Sequence, residues 1–531
     1  GVTGGYSQAY TRRLAGQLTS LEEDYGYLKG CGLLDTSDYA LEGEVDGDID
    51  LYRHYLQIGQ FDLRRDASQA WSLKQYNERE LPWDKWAEQA REPGLVSVVI
   101  PVFNQPALTE QCIRSLFAVQ TVARFEVVCV DNGSGSDTQA LLTRLAEDFT
   151  DVRVVRNATN LNFALGCNIG FGASRGERVV FLNNDTELTD HWLDRLVDRL
   201  EEGDCFGVQP QLLYPDNTLQ CMGVVFSEKS TLGYPIYAQM DPAECVADKP
   251  RQFKALTAAC LMLNAADVAA DKGFDALYIN GQEDVDLCLR LHERTGKLGG
   301  YAPKSVVIHH ESKSEGRGRW IAQNRRVFVH RWKGRIQADD ISHYRDDGFR
   351  VVSWRGDAHP PESGIRVYRP VLEALPVSER PVDPQVGGGE LRKAASAALR
   401  ASDPRDAVRL FAQEARQGGA FPELSEFWLE LSRRRWRSAR ARQPGRKVGV
   451  CSWCLSDNAA GRAITLAEAY APHAEVEVIG CIVPSFGKTL WGPIQSSSIP
   501  CHYFTATHNV DFVRQAFELV IHHPYDIVHL S

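Results

Sequence analysis

The sequence predicts an α/β protein whose main domain is a sheet flanked by helices. Three observations support this: short β-branched runs alternate with helical segments, a helical stretch precedes them, and a second alternating pattern begins near residue 446. Such alternation is typical of parallel strands covered by helices on both faces. The predicted strands of the main domain are residues 95–102, 125–130, 152–155 and 178–182.

The predicted domain order has four parts within the 531 residues. Residues 1–90 contain helical patches and many aromatic side chains but no parallel-strand pattern, so we expect a mainly helical N-terminal module. Residues 95–355 form the main α/β domain. Residues 356–445 start rich in Pro, Gly and charge, which is typical of a linker, and continue as helices. A partial second α/β domain covers residues 446–531, and we expect the chain to be a fragment of a longer protein.

Two predicted helices carry an apolar stripe that faces the sheet. The first has Pro106 in its first turn, where the missing backbone N–H costs nothing, and apolar residues at helical spacing from Leu108 to Phe117. The second follows the fourth strand, with a stripe from Trp192 to Leu200. Both helices are expected to pack on the sheet.

The composition excludes several classes of function. Lys and Arg total 59 against 70 Asp and Glu, a net charge of −11, so no global positive field is available to bind nucleic acid. No apolar run approaches the ~20 residues that span a bilayer. The 13 Cys are scattered without the spacing of a disulfide framework, which favours reduced thiols in the cytoplasm.

Polar residues follow three of the predicted strands. Phe103 and Asn104 follow the first strand, Asp131 and Asn132 the second, and residues 183–185 the fourth. Ligands of open α/β sheets bind beyond the carboxyl ends of the strands, so this edge is the candidate site. Asp131 suits hydrogen bonding to a ribose or a base, although an ordinary turn with a capping Asp is an equal alternative.

Oxygen ligands for a divalent cation are present at the fourth strand end. Asn183 and Asp185 together suit Mg²⁺ or Mn²⁺ beside a diphosphate, but a tripeptide of this kind also occurs in turns. The segment 160–170 contributes three amides and two glycines. These amides line a polar cleft or cap a helix, and both interpretations carry equal weight.

Two adjacent acids and two histidines complete the candidate chemistry. Glu283 and Asp284 open a predicted helix, where acids normally complement the helix dipole. A carboxylate at the mouth of the cleft can instead take a proton from a sugar hydroxyl, and its neighbour can fix its orientation. His309 and His310 end a predicted strand, where His is more often structural. Beside an Asn-x-Asp pair, such a His is also a candidate metal ligand.

In this order the motifs resemble the family 2 inverting glycosyltransferases of the GT-A fold, over residues 95–335. The motifs that carry the resemblance are Val-Ser-Val-Val-Ile-Pro-Val-Phe-Asn at 96–104, Val-Asp-Asn-Gly-Ser at 130–134, the Asn-rich segment 160–170, Leu-Asn-Asn-Asp-Thr at 182–186, Gly-Phe-Asp at 273–275, Glu-Asp-Val-Asp-Leu-Cys at 283–288 and His-His-Glu-Ser-Lys-Ser at 309–314. The resemblance implies a nucleotide-sugar-binding mixed sheet flanked by helices.

The resemblance also implies a role for each matching residue. Asp284 stands at the catalytic base with Glu283 beside it, and Asp185, Asn183 and His309 stand at the metal site, His310 being the less favoured histidine. The implied donor-binding residues are Pro101, Phe103, Asn104, Asp131, Asn132, Asn162, Asn168, Asn183 and Asn184. Two residues depart from the family pattern. Asn183 replaces a more common Asp, which affects metal affinity, and Asn162 replaces a frequent Gly, which affects the backbone approach to the donor.

The function so implied is metal-assisted, inverting transfer of a hexosyl or deoxyhexosyl group in bacterial polysaccharide or O-antigen synthesis. The sugar passes from a nucleotide-diphosphate donor to a glycan or a lipid-linked saccharide, with Mg²⁺ or Mn²⁺ as cofactor. The alternative is a nucleotide-sugar-binding module without turnover. The implied location is the cytoplasm, with peripheral association at the cytoplasmic face of the inner membrane. Residues 447–531 look like the opening half of a GT-B-fold glycosyltransferase, with further domains expected after them.

Overall fold

A computed structural model describes residues 19–43, 50–62, 65–242, 247–311 and 317–375, and in the C-terminal part residues 410–411, 447–452, 454–455, 460–482, 490, 492–505, 515, 525 and 527–530. The chain divides into two compact units, Gly1–Leu375 and Pro376–Ser531. Most of the predicted helical segment between the two α/β domains lies outside the described residues. In the part of the chain that the structure describes, no helix is both long and apolar enough to cross a bilayer.

The N-terminal part of the first unit is helical, as the sequence predicted. Its core contains large aromatic side chains, of which Tyr55 and Trp71 are buried. Asp50 is the N-cap of the helix that begins at Leu51, and its side chain accepts hydrogen bonds from the backbone N–H groups of Tyr52 and Arg53. The helices are α1 (Thr19–Cys31), α2 (Thr36–Gly43), α3 (Leu51–Gln57), α4 (Asp66–Arg79) and α5 (Trp83–Glu88).

A mixed α/β region follows and confirms the predicted fold class. The four predicted strands form within a residue or a few of the expected bounds. The elements are β1 (Glu92–Val102), α6 (Pro106–Ala118), β2 (Arg124–Asp131), α7 (Ser136–Asp148), β3 (Val152–Arg156), α8 (Asn162–Ala173), β4 (Gly176–Leu182), β5 (Thr186–Leu188), α9 (Trp192–Glu201), β6 (Cys205–Leu213), β7 (Leu219–Cys221), β8 (Val224–Ser227), β9 (Ser230–Pro235), β10 (Arg251–Phe253), β11 (Cys260–Asn264), α10 (Ala265–Ala270), α11 (Glu283–Thr295), β12 (Leu298–His309), α12 (Ile321–Trp332), α13 (Asp340–Asp346), β13 (Phe349–Gly356) and β14 (Tyr368–Ala374).

The main sheet of the described residues has the strand order β10-β12-β6-β11-β4-β1-β2-β3. Strands β1 to β4 run parallel to one another, and β12 is parallel to β6. Strand β11 is antiparallel to both β4 and β6, so β4, β6 and β12 all point the same way. The carboxyl ends of β1, β2, β4 and β12, and the amino end of β11, therefore meet at one edge of the sheet.

The two helices predicted to pack on the sheet do so. Helix α6 begins with Pro106 and buries Cys112, Ile113 and Leu116. Helix α9 has a wholly buried face that includes Trp192 and Leu196. Burying a large apolar side chain stabilises a fold by ~1.5–3 kcal/mol, so these stripes hold the helices against the strands whose ends form the candidate site.

The end of the first unit differs from the sequence expectation. A linker was predicted from residue 356, but residues 349–356 and 368–374 form the antiparallel hairpin β13–β14. The Trp354 side chain lies edge-on to Tyr234 of β9, and the Ser230 hydroxyl donates a hydrogen bond to the carbonyl of Arg366. The hairpin is thus anchored by an aromatic contact that a Pro- and Gly-rich composition does not reveal.

The described part of the second unit is a small α/β fold. Its strands form a parallel sheet in the order β17-β16-β15-β18, which confirms the predicted second alternating pattern. Cys451 and Cys454 are both buried. The elements are β15 (Lys447–Ser452), α14 (Ala460–Tyr470), β16 (Glu475–Ile482), α15 (Gly492–Ser496), β17 (Cys501–Thr505) and β18 (Ile527–Leu530).

A buried ionic cluster joins the N-terminal helices to the sheet region. Asp275 lies 3.2 Å from the Lys74 ammonium of α4 and 2.8 Å from the Arg331 guanidinium of α12. Arg331 also contacts Asp286 of α11 at 2.7 Å and donates a hydrogen bond to the Tyr27 hydroxyl of α1. Burial opposes the charged form of Asp275, but Lys74 and Arg331 outweigh it and lower its pKa well below the ordinary range.

Candidate active site at the strand ends

The residues after β1 lie at the site edge in an unusual backbone conformation. Asn104 and Gln105 both have left-handed φ angles, of 59° and 57°, which non-glycine residues rarely adopt. The Asn104 side-chain oxygen accepts a hydrogen bond from Gly135 N at 2.9 Å, which ties the β1 end to the β2 end. Phe103 is 45% exposed, whereas Pro101 is buried in the strand. Phe103 therefore presents an aromatic face at the edge.

Asp131 at the end of β2 is buried and paired. One carboxylate oxygen accepts a hydrogen bond from Ser134 N at 2.9 Å, and the other lies 2.8 Å from the Arg156 guanidinium. Arg156 is the last residue of β3 and was not predicted from the sequence, because nothing in its strand context distinguishes it. Arg156 thus places a half-exposed guanidinium at the candidate site. The sequence had predicted only a carboxylate and amides there.

Amide side chains connect β2 to the start of α8. The Asn132 side-chain oxygen accepts a hydrogen bond from Asn157, and its nitrogen donates to the Asn162 carbonyl at 3.1 Å. Asn162 has a φ of 63°, a left-handed conformation that Gly and Asn adopt more readily than other residues. This conformation accounts physically for Asn at a position where the family pattern often has Gly.

Asn168 does not reach the site edge. Its side chain is fully buried, and its amide nitrogen donates hydrogen bonds to Asn77 and to the Phe274 carbonyl. Its oxygen accepts a hydrogen bond from Phe274 N at 2.9 Å. The amide therefore joins α4, α8 and the segment before α11, and the donor-binding role expected for Asn168 is replaced by a structural one.

The residues after β4 and the end of β12 lie together. The His309 Nε2 atom lies 3.0 Å from an Asp185 carboxylate oxygen and 3.1 Å from the Asn183 side-chain amide. His310 points elsewhere, with its Nε2 atom 3.7 Å from Glu187, so the structure places His309, the favoured histidine, beside Asp185. The Asn184 side chain donates a hydrogen bond to the Thr109 hydroxyl at 2.8 Å and braces the turn.

The side chains of Asp185, Asn183 and His309 suit a divalent cation. The Asp185 carboxylate and the Asn183 amide lie 3.0 Å and 3.1 Å from His309 Nε2, separations that hydrogen bonds also have, so the fit rests on the chemistry of these groups as ligands. Asn183 and Asp185 offer oxygen ligands if the Asn183 amide is turned, since its oxygen and nitrogen positions are interchangeable assignments. Among the described residues, no group of three His, Cys, Asp or Glu side chains suits a metal ion. The site thus depends on the amide as its third ligand.

The two candidate acids open α11 with different surroundings. The Asp284 side chain is half-buried and accepts hydrogen bonds from Ala258 N at 3.1 Å and from Val285 N at 2.8 Å. Glu283 is buried, and its carboxylate accepts a hydrogen bond from Gly281 N. Glu283 therefore fixes the turn that precedes the helix, while Asp284 is the acid held at the sheet edge.

The Ala258–Ala259 segment links Asp284 to Asn183, one of the candidate cation ligands. Ala258 N binds Asp284, and the next carbonyl, of Ala259, accepts a hydrogen bond from Asn183 N at 3.0 Å. Burial raises the pKa of the Cys221 thiol to about 12, with a further contribution from the nearby charge of Asp284. Cys221 follows Gln220, which contacts His309.

Left-handed backbone conformations are common around this edge. They hold polar residues in tight turns where strained backbone often accompanies function. The non-glycine residues of this kind at the edge are Asn104, Gln105, Asn162, Asn280, Gln282 and Glu311.

Comparisons with known proteins identify the sequence pattern of this region. Residues 97–220 match the model of Glycosyl transferase family 2. The O-antigen biosynthesis protein RfbC of Myxococcus xanthus is 30% identical over 226 residues, which cover 41% of this chain and 17% of the relative. An undecaprenyl-phosphate 4-deoxy-4-formamido-L-arabinose transferase of Pseudomonas paraeruginosa is 39% identical over 113 residues, which cover 20% of this chain and 33% of the relative.

A solved structure was also compared, that of GalNAc-T7 with UDP, GalNAc and Mn²⁺. It gives a TM-score of 0.36 and 16% identity, over 43% of this chain and 48% of that chain, and a score of this size does not establish a shared fold. The match that identifies the region is therefore the sequence pattern from β1 to β7: the chain contains a Glycosyl transferase family 2 domain.

Proposed function

We propose that the first unit is an inverting, metal-assisted glycosyltransferase of the GT-A type. The observation that supports this most strongly is the 3.0 Å contact between His309 and Asp185, together with the hydrogen bond from Ala258 N to Asp284, one residue before the Ala259 carbonyl that pairs with Asn183 N. An acid that takes a proton and a pair that holds a cation provide two functions that assist sugar transfer from a nucleoside diphosphate.

The nucleotide donor is proposed to bind across the ends of β1 and β2. Phe103 offers a ring for stacking on a base, and Asp131 and Asn132 offer hydrogen bonds to the base or the ribose. Arg156 holds the second oxygen of Asp131 and thereby fixes the direction of the carboxylate. Asn162 and Asn184 lie at the same edge of the sheet.

The diphosphate is proposed to lie between this edge and the end of β12. Asp185, Asn183 and His309 would hold Mg²⁺ or Mn²⁺ there. When bound, the cation supplies positive charge that stabilises the departing nucleoside diphosphate.

Asp284 is proposed to act as the general base. Its carboxylate takes the proton of an acceptor hydroxyl while the hydroxyl oxygen forms a bond to the anomeric carbon. The bond from that carbon to the diphosphate oxygen breaks, and both electrons leave with the nucleoside diphosphate. One such displacement inverts the anomeric centre. The backbone N–H groups of Ala258 and Val285 keep Asp284 in place for this proton transfer.

The acceptor is proposed to be a growing glycan or a lipid-linked saccharide of a polysaccharide such as O-antigen. The names of the two relatives refer to O-antigen biosynthesis and to an undecaprenyl-phosphate transferase. We place the reaction at the cytoplasmic face of the membrane that carries such lipids. The second unit is proposed to begin a GT-B-type transferase domain.

Incubation with single nucleotide sugars tests the proposal. The full chain is mixed with UDP-, dTDP- or GDP-sugars and a saccharide acceptor, with Mn²⁺ or with EDTA, and released nucleoside diphosphate is measured. We expect release with one donor class, loss of release with EDTA, and a product of inverted configuration. Donor binding without release would favour the binding module instead, and release unaffected by EDTA would contradict the metal site.

A further inference from the structure

A buried glutamine lies directly behind the candidate cation ligands. Gln220 is the middle residue of β7 and is 8% exposed. Its side-chain oxygen lies 2.6 Å from His309 Nδ1. With the amide oxygen facing the ring, as the structure has it, this short contact takes its hydrogen from the imidazole Nδ1 atom, because an amide oxygen carries no proton.

This contact determines which imidazole nitrogen faces the site. A neutral His has one N–H and one lone pair. With the proton on Nδ1, the lone pair of His309 lies on Nε2, the atom 3.0 Å from Asp185 and 3.1 Å from Asn183. A lone pair facing a carboxylate oxygen at this distance is repulsive unless a cation lies between them or the ring carries a second proton that Nε2 donates to Asp185. The tautomer that Gln220 selects is therefore the one that suits metal binding.

The backbone fixes the partnership between Gln220 and His309. At its carboxyl end, β6 pairs with β7 on one side and with β12 on the other. Leu212 of β6 is opposite both Cys221 and Val307, so the two flanking strands are in fixed register. The β6–β7 register shifts between Leu212 and Leu213, which leaves Gln220 between the paired residues Leu219 and Cys221. From there its side chain reaches the His309 ring across the end of β6.

We propose that Gln220 is a positioning residue that holds His309 in the Nδ1–H tautomer and thereby presents Nε2 to a divalent cation beside Asp185. This inference rests on the metal site of the proposed function. Partners behind a metal-binding His fix its tautomer and orientation, and their loss typically costs ~10–100-fold in metal affinity. Gln220 itself would not touch the cation or the substrate.

The first test reads the tautomer without any metal. The full chain is labelled with ¹⁵N-histidine, the His309 signals are assigned by their absence in His309→Ala, and spectra are recorded at about pH 8.5, where histidines are ordinarily neutral. We expect the Nδ1–H form in the native chain and a shift towards the Nε2–H form in Gln220→Leu. An Nε2–H form in the native chain would mean that the Gln220 amide is turned, and would overturn the inference.

The second test measures Mn²⁺ binding by the electron paramagnetic resonance of the free ion. We expect Gln220→Leu to bind Mn²⁺ ~10-fold or more weakly, and Gln220→Glu, whose carboxylate accepts the same Nδ1–H bond, to restore binding. In the His309→Ala background, Gln220→Leu should have no further effect, because its action passes through the imidazole. Equal losses in both backgrounds would contradict the inference.

The two tests separate this inference from the proposed function. If the native chain binds no Mn²⁺, the proposed metal site fails, and the tautomer spectra still decide the role of Gln220. If the native chain and Gln220→Leu bind Mn²⁺ equally well, the metal site stands and the inference fails. Thermal unfolding of each variant shows whether a loss of binding reflects a loss of fold.

Discussion

Two aspartates in the first turn of one helix have opposite environments. Asp284 is half-buried at the sheet edge and accepts hydrogen bonds from the backbone of Ala258 and Val285. Asp286 is fully buried. The groups that donate to its carboxylate are the side chains of Tyr278, Arg290, Arg331 and Trp332.

The difference follows from helix geometry. Residues two apart on an α-helix lie ~200° apart around its axis, so α11 directs one acid to the candidate site and the other into the interior. Burial opposes the charged form of Asp286, but Arg331 and Arg290 outweigh it and lower its pKa. One carboxylate thus lies at the candidate site and the other in the interior ionic cluster, and the same motif supplies both.

The largest expected effect is the loss of turnover in Asp284→Asn. The amide keeps the shape of the side chain but cannot take a proton, so we expect turnover to fall ~10²–10⁴-fold with little change in thermal unfolding. Nucleoside diphosphate release measures the first quantity. Asp38→Asn, which removes an exposed acid from the first turn of α2, is the matched control, and near-native turnover in Asp284→Asn would remove Asp284 from the role of base.

The second effect is a loss of stability in Asp286→Asn. This change removes the carboxylate that pairs with Arg290 and leaves Arg331 with Asp275 alone, and breaking a buried pair in this way costs ~3–5 kcal/mol. Denaturant unfolding of the first unit measures the change. Asp267→Asn provides the control, because the Asp267–Arg294 pair is partly exposed and such pairs contribute ~0–1 kcal/mol. Equal losses in the two variants would contradict the contrast.

A third, pH-dependent effect concerns the buried cluster. The lowered pKa values of Asp275 and Asp286 mean that the unfolded chain takes up protons before the folded chain does. Their contribution to stability is therefore complete above about pH 5, beyond the ordinary Asp pKa, and is lost as the pH falls through the lower folded values.

Acid titration of unfolding checks this prediction. We expect the free energy of unfolding of the first unit to decline between about pH 5 and pH 3. The double variant Lys74→Met, Asp275→Asn removes one ion pair of the cluster and should decline less steeply. An unchanged slope would show that the acid sensitivity arises elsewhere.

The smallest expected effect is a change in Mn²⁺ affinity at the candidate site. Asn183→Asp adds a charged oxygen ligand beside His309, and ligand charge tunes the affinity of oxygen sites for divalent cations. We expect Mn²⁺ affinity to rise a few-fold, roughly threefold to tenfold. Competition binding of Mn²⁺ measures the rise, and weaker binding would show that the two carboxylates repel each other more than they attract the ion.

Much of the fold was predictable because it rests on local patterns. The β-branched runs, Pro106 at the start of α6 and the Trp192 stripe of α9 each reflect the period of a single element. The hairpin β13–β14 was missed because its stability comes from contacts with β9, which composition does not encode. The strand-end rule likewise placed Asp131 and Asp185 at one edge.

Other features of the candidate site could not be read from the sequence. Asn168 shares an amide-rich segment with Asn162, yet only the packed structure shows that it bonds to Phe274 and Asn77 in the interior. Arg156 and Gln220 are ordinary residues in a strand context, and their significance comes from the Asp131 and His309 side chains that they contact.

The sequence by itself determined the order of strands and helices, the chemistry available at each strand end and the absence of a global positive field. Only the tertiary structure decided which of these groups meet, since contacts such as His309 with Gln220 join residues far apart in the chain. The physical reason is that periodicity is a property of neighbouring residues, whereas the direction of each side chain at the edge depends on strand register and helix rotation. These are set by packing over the whole unit.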